Sequence, residues 1–272
     1  MRHATTVADY ELLDDLGPGS YGRLYLAASP ARLGLDGRRV ILKVLERDAS
    51  DSEFDRLANE VRVLASVHSD HVVEVLDAGF DRGRLFYAMV DHGAGTLASH
   101  GARHSVGERV GFVADAGRGA HDLHEHGAAH RDIRPGTIAI DGSRARLFDV
   151  GLAQLLTPGL TTTGRGPVGT VEFLDPEVAL GAKASRSSDV WSLGVTLHVA
   201  VSGRGVHPDL PTRNLGAALR HLVQRPPMLD EQLPGDVAEV VRTCLAPPTE
   251  RFATAAELAA SIDSILLVKG RL

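Results

Sequence analysis

Short apolar runs separated by glycine-rich and charged turns fill the first ninety residues. Tyr10–Leu16 and Arg23–Ala28 read as two strands about a glycine turn, and Arg39–Leu45, β-branched and apolar apart from its charged positions, as a third. Val72–Asp77 and Leu85–Val90 read as two more. Between them Ser52 to Ser66 reads as a helix, with Ser52 as cap and Phe54, Leu57, Val61 and Leu64 at helical spacing. The pattern predicts a five-stranded antiparallel sheet with one helix over 10–90. Asp91–Gly95 is short and glycine-rich, a hinge. Beyond it the period turns helical at Val106–His126, Ser188–Ser202, Arg213–Val223, Asp236–Leu245 and Ala255–Val268. The expectation is one α+β domain over 1–272: a small β-rich lobe over 10–90, a hinge at 91–95 and a larger, mostly helical lobe over 96–268. Thr157–Val168, with threonines among Pro and Gly, reads as a loop.

Composition narrows the function. The chain has 272 residues, 43% hydrophobic and 24% charged, enough for a full core. A net charge of −6 without a Lys/Arg run argues against a nucleic-acid partner. The single Cys244 excludes an internal disulfide framework and fits a reducing compartment. The first ten residues hold no apolar signal region, and Val190–Val201 and Ile262–Val268 are too short to span a bilayer. A cytoplasmic protein with no membrane partner is expected.

Several residue groups carry chemistry. Gly17, Gly19 and Gly22 lie between two strands, where glycines let a backbone turn sharply and approach phosphates closely. Taken alone the motif is a turn. Lys43 sits inside an apolar strand and needs a partner if buried; Glu60, mid-helix, is the candidate, ahead of Glu53 at the helix start. His130-Arg131-Asp132 precedes Asp149-Val150-Gly151. His121, His124 and His126 lack a second ligand cluster, which argues against a metal site there.

In this order, and followed by Gly169-Thr170-Val171-Glu172-Phe173-Leu174-Asp175-Pro176-Glu177, these motifs resemble the eukaryotic-type (Hanks-type) protein kinase family, in particular bacterial Ser/Thr kinases, over about residues 10–265. The resemblance implies a bilobal protein-kinase-like fold. It implies ATP and Mg²⁺, or Mn²⁺, bound between the lobes, a protein substrate, and autophosphorylation of the loop. Asp132 would accept the proton of the substrate hydroxyl, with Arg134 and Lys43 beside the phosphates. ATP would contact Leu16, Gly17, Gly19, Gly22, Leu24, Ile41, Lys43, Glu60, Asp91 and Ala139. Asp149 would hold the metal, and Thr137 stands where the family carries a metal-binding asparagine. His130 would pack under Val150. Arg131 would meet a phosphate on Thr161, Thr162 or Thr163, a run that reads equally as a plain polar loop. Thr170 would contact Asp132, Asp189 would brace the catalytic loop, and Glu177 would pair with Arg251.

Two departures alter the picture. Ile41 replaces the small residue usual above the adenine and Ala139 the leucine usual below it, so the slot is expected to stay open but displaced. Thr137 and Val150 motivate an alternative, a pseudokinase acting as a nucleotide-binding or scaffold module. A small-molecule kinase would lack the Gly169–Glu177 segment and Arg251. A homodimer through the small lobe is compatible with the sequence.

Overall fold

The computed structural model describes residues 6–19, 22–35, 37–48, 61, 63–91, 93, 95–150, 168–211 and 213–268, without the side chains at 46–48 and 168–170. Strand alternation builds the small lobe. In β4 (Arg39–Asp48) Val40, Leu42 and Val44 face outward and join Tyr10, Ala27, Phe86 and Ala88 in a small core of their own. The other face carries Ile41, Lys43 and Leu45, and Leu45 enters the main core with Tyr87 and Met89. The other strands are β1 (Thr6–Val7), β2 (Tyr10–Gly19), β3 (Gly22–Ala28), β5 (Val75–Asp81) and β6 (Arg84–Val90). They form one antiparallel sheet in the order β1-β2-β3-β4-β6-β5. The register sets Leu24 and Tyr87 on either side of Lys43, and Met89 opposite Ile41.

The sheet has six strands rather than five, because the two-residue β1 pairs with the start of β2. The strand expected at Val72–Asp77 begins three residues later. Val73 instead donates to the Leu147 carbonyl at 2.8 Å, and Leu147 donates to that of His71 at 2.8 Å. This bond holds both valines in the main core beneath the sheet. The helix expected over Ser52–Ser66 lies mostly outside the described residues. Val61 and 63–66 are helical, with Val61 and Leu64 buried in the main core.

The larger lobe comprises α1 (Leu97–His100), α2 (Val106–Glu125), the hairpin β7 (Ile138–Asp141) and β8 (Arg144–Leu147), α3 (Pro176–Ala179), α4 (Arg186–Ser202), α5 (Leu215–Gln224), α6 (Gly235–Cys244) and α7 (Ala255–Val268). Ser105 and Glu108 cap α2 reciprocally. Helix α4 is buried without interruption from Ser188 to His198, so the lobe packs around it. Cys244 of α6 lies so close to Gly194 of α4 that a β-carbon there would strike it. Burial pushes the Cys244 thiol far above the usual thiol range. Among the described residues no helix is long and apolar enough to cross a membrane.

The expected Glu177–Arg251 pair is not formed. Arg251 Nη1 lies 2.5 Å from Asp175 Oδ2, with both side chains at most 3% exposed. The guanidinium also donates to the carbonyls of Ala246 and Ser187 and lies 5.1 Å from the Trp191 ring centroid. Glu177 is exposed. Asp175 caps α3 by accepting from Glu177 N, which holds its carboxylate inward, whereas Glu177 is in the first helical turn and faces water. A buried guanidinium needs a carboxylate that is itself buried. Asp175→Ala should therefore lower the unfolding free energy by roughly 3–5 kcal/mol in urea titrations, while Glu177→Ala should change it by less than about 0.5 kcal/mol.

Candidate active site

The catalytic loop hangs from one residue of α4. Asp189, 1% exposed, accepts hydrogen bonds from His130 N at 2.7 Å and Arg131 N at 2.9 Å, and its Oδ2 lies 2.8 Å from His124 Nε2. This grip holds Arg131 at φ +71°, a left-handed conformation that costs energy outside glycine. His130 is fully buried, and burial lowers its pKa, so the ring is neutral. Its Nδ1 lies 3.3 Å from Asp132 N and accepts there, which leaves the proton on Nε2 to donate to the Phe148 carbonyl at 3.1 Å. His130 thereby ties the loop to the segment that carries Asp149.

Thr137 closes the loop. Its buried hydroxyl donates to the Asp132 carbonyl at 2.8 Å and accepts from Arg134 N at 3.1 Å. A hydroxyl has one hydrogen, and here it is spent on the backbone. The geometry thus gives Thr137 a bracing role in the loop. Asp132 is 4% exposed, and Arg134 Nε lies 3.4 Å from its Oδ1.

Across from the loop, Lys43 and Asp149 form a buried ion pair through Lys43 Nζ and Asp149 Oδ1, each residue 2% exposed. Tyr87, also 2% exposed, donates its hydroxyl to the same oxygen at 2.9 Å. Sequence reading gave Tyr87 no role. Asp149 stands at φ +63°. Among the described residues no group of three His, Cys, Asp or Glu side chains converges to hold a metal. Asp149 remains a fitting ligand for a hard cation, whose other ligands would be phosphate oxygens and water.

Beside this cluster lies a cavity of about 270 Å³. Leu16, Leu24 and Ile41 line it from the sheet, Ala139 and Phe148 from the larger lobe, and Asp91 and Gly95 at the hinge. Ile41 and Ala139 thus line the same cavity. Of the glycines, Gly17 at φ +97° meets a backbone need, since side chains rarely adopt that conformation. Gly22 is required by β4: a β-carbon there would run into the Val44 carbonyl oxygen. A second cavity, about 500 Å³, is lined by Leu97, Arg109, Arg134, Pro135, Phe173 and Val199. Phe173 is held there through its carbonyl, which accepts from Ser192 Oγ at 2.8 Å. Glu60, Glu53, Thr161, Thr162, Thr163 and the Thr170 side chain lie outside the described residues.

The profile of the protein kinase domain matches residues 10–261. Serine/threonine-protein kinase PknA of Mycobacterium tuberculosis is 30% identical over 268 residues, which cover 94% of this chain and 61% of that protein. The probable serine/threonine-protein kinase PkwA of Thermomonospora curvata is 30% identical over 268 residues, covering 95% of this chain and 34% of its own length. The chain therefore spans less than two thirds of either relative. A crystal structure of the M. tuberculosis PknI kinase domain superposes with a TM-score of 0.75 at 23% identity, covering 97% of this chain and 98% of that one. The likeness establishes the fold, a curled antiparallel lobe on a helical one.

Asp189 is the acceptor on which the loop depends, so Asp189→Asn should leave N–H groups of His130 and Arg131 poorly satisfied. We expect a loss of about 3 kcal/mol in unfolding free energy by chemical denaturation. A loss below about 1 kcal/mol would mean the loop is held elsewhere.

Proposed function

The chain belongs to the protein kinase family, and on that premise we propose that it transfers the γ-phosphoryl group of ATP to Ser/Thr hydroxyls of proteins. The observation that carries the reading is a pair of buried carboxylates, Asp149 with Lys43 and Asp132 with Arg134, on segments that flank a largely apolar cavity of about 270 Å³. The cavity is largely apolar, with Ile41 and Leu24 from the sheet and Ala139 from the larger lobe, which suits a purine ring. The swap of bulk between Ile41 and Ala139 supports a slot kept for a nucleotide. Lys43 would turn from Asp149 to the phosphates. Asp132, held by its own backbone through Thr137 and His130, would accept the proton of the incoming hydroxyl. Arg134 would keep a positive charge next to the transferring group. Bound at Asp149, Mg²⁺ or Mn²⁺ would neutralise phosphate charge. The protein segment that carries the acceptor would lie along the 500 Å³ cavity that Arg134 lines.

The loop threonines Thr161, Thr162 and Thr163 are the proposed autophosphorylation sites, with Arg131 as the phosphate's partner, and the protein is proposed to act in the cytoplasm. One observation favours a second reading, a pseudokinase that binds nucleotide without transfer. The Thr137 hydroxyl gives its hydrogen and one lone pair to the loop backbone, so it would be a poorer ligand for a second metal than an asparagine amide oxygen.

Incubation with γ-labelled ATP and Mg²⁺ or Mn²⁺ decides between the readings. Label should appear on protein and fall at least about 100-fold in Asp132→Asn. Thr137→Asn should raise the rate most where metal is limiting; no label in either protein, with nucleotide still bound, would establish the pseudokinase. The slot gives an independent check by calorimetry. Ala139→Leu alone should weaken nucleotide binding about tenfold by overfilling the cavity, and adding Ile41→Ala should restore most of that loss.

A further inference from the structure

We infer that Tyr87 is a positioning residue for Asp149: its hydroxyl holds the carboxylate so that Oδ2 faces the glycine loop, where metal and phosphate would be held. The inference rests on the proposed function for its metal, and on four features of the structure for its geometry.

The first is the division of labour between the carboxylate oxygens. Lys43 Nζ and the Tyr87 hydroxyl both fall on Oδ1, the latter at 2.9 Å. Oδ2 is the oxygen turned to the loop: a β-carbon placed on Gly19 would lie 3.6 Å from it. The second is register. Lys43 and Tyr87 are cross-strand partners in β4 and β6, so they reach the same oxygen from adjacent strands. The third is backbone conformation. Asp149 sits at φ +63°, a left-handed conformation that aspartate tolerates better than most residues and that its side-chain contacts help to hold.

The fourth is space. Tyr87, Leu64, Asp149 and Val150 line one cavity of only about 10 Å³. Val150 is small for its position in this family, and Tyr87 packs around the same small cavity. A phenylalanine would pack there equally well, so the hydroxyl is what needs a separate explanation. Lys43 cannot be the lasting restraint, because in the proposed reaction it leaves Asp149 for the phosphates. Tyr87 stays: its hydroxyl reaches Asp149 from β6, and its place in the sheet does not depend on where the lysine points.

The test is Tyr87→Phe, read by thermal unfolding with a non-hydrolysable ATP analogue as Mn²⁺ is titrated. The Mn²⁺ concentration for half the maximal stabilisation should rise about tenfold, while stabilisation by the analogue without metal stays as in the wild type. In turnover the loss should be recovered by raising the metal concentration, a change in metal KM rather than kcat. Tyr87→Met, which keeps a long apolar side chain without the hydroxyl, should shift the midpoint alike. An unchanged Mn²⁺ midpoint, with or without a lower melting temperature, would reduce Tyr87 to packing and overturn the inference. A shifted midpoint in a protein that never labels a substrate would uphold Tyr87 and sink the transferase reading alone. No metal-dependent stabilisation of the wild type would overturn both.

Discussion

The buried carboxylate of Asp189 is the constraint from which the site is hung. A loop with His130 and Arg131 under the sheet would strand two backbone N–H groups away from water, and each would cost roughly 1–3 kcal/mol. One acceptor in the buried stretch of α4 satisfies both, with His124 on the same carboxylate. Because α4 is buried from Ser188 to His198, that acceptor is held in the core of the larger lobe. The left-handed turn at Arg131, the direction of Asp132 and the His130 link to Phe148 all follow from it. The chemistry of the loop is therefore fixed by the core of the larger lobe, and the small lobe supplies only its opposing face.

Two buried ion pairs do opposite work. Arg251 and Asp175 are fully furnished: the guanidinium has two carbonyls and an aromatic face besides the carboxylate, and the carboxylate also caps a helix. Such a pair has every reason to stay as it is. Lys43 and Asp149 instead stand next in register or in chain to Leu24 and Phe148, which line the 270 Å³ cavity, and Asp149 Oδ2 is left facing the glycine loop. In a medium of low polarity this pair is strong but replaceable, since a phosphate can take the lysine and a cation can take the carboxylate. Stability and readiness are thus assigned to different ends of the molecule by how completely each charge is satisfied.

Much of this was legible in the chain. Ala255–Val268 was readable to the residue, because its apolar spacing is helical and unbroken. The faces of β4 followed from alternation, which put Lys43 on the side of Ile41. What failed did so for physical reasons. Val72 to Leu76 is apolar almost throughout, so it has no phase to tell where pairing with the sheet begins. Asp175 and Glu177 are two carboxylates two residues apart, and only burial selects between them as partner of Arg251. Gly22 looked like a phosphate contact, although the pressure on it comes from the Val44 carbonyl. Tyr87 could not be found at all. In the sequence it is one aromatic in an apolar strand, and its partner is remote in the chain.

The packing of α4 against α6 has a practical side. Cys244 is the chain's sole thiol, and it is sealed against Gly194 in the interior. A cysteine introduced on the surface of either lobe would then be the only one to meet a maleimide or a spin label. Pairs of such probes, one in the sheet and one on α2, would report the distance between the lobes as nucleotide enters, with no need to remove a native residue first.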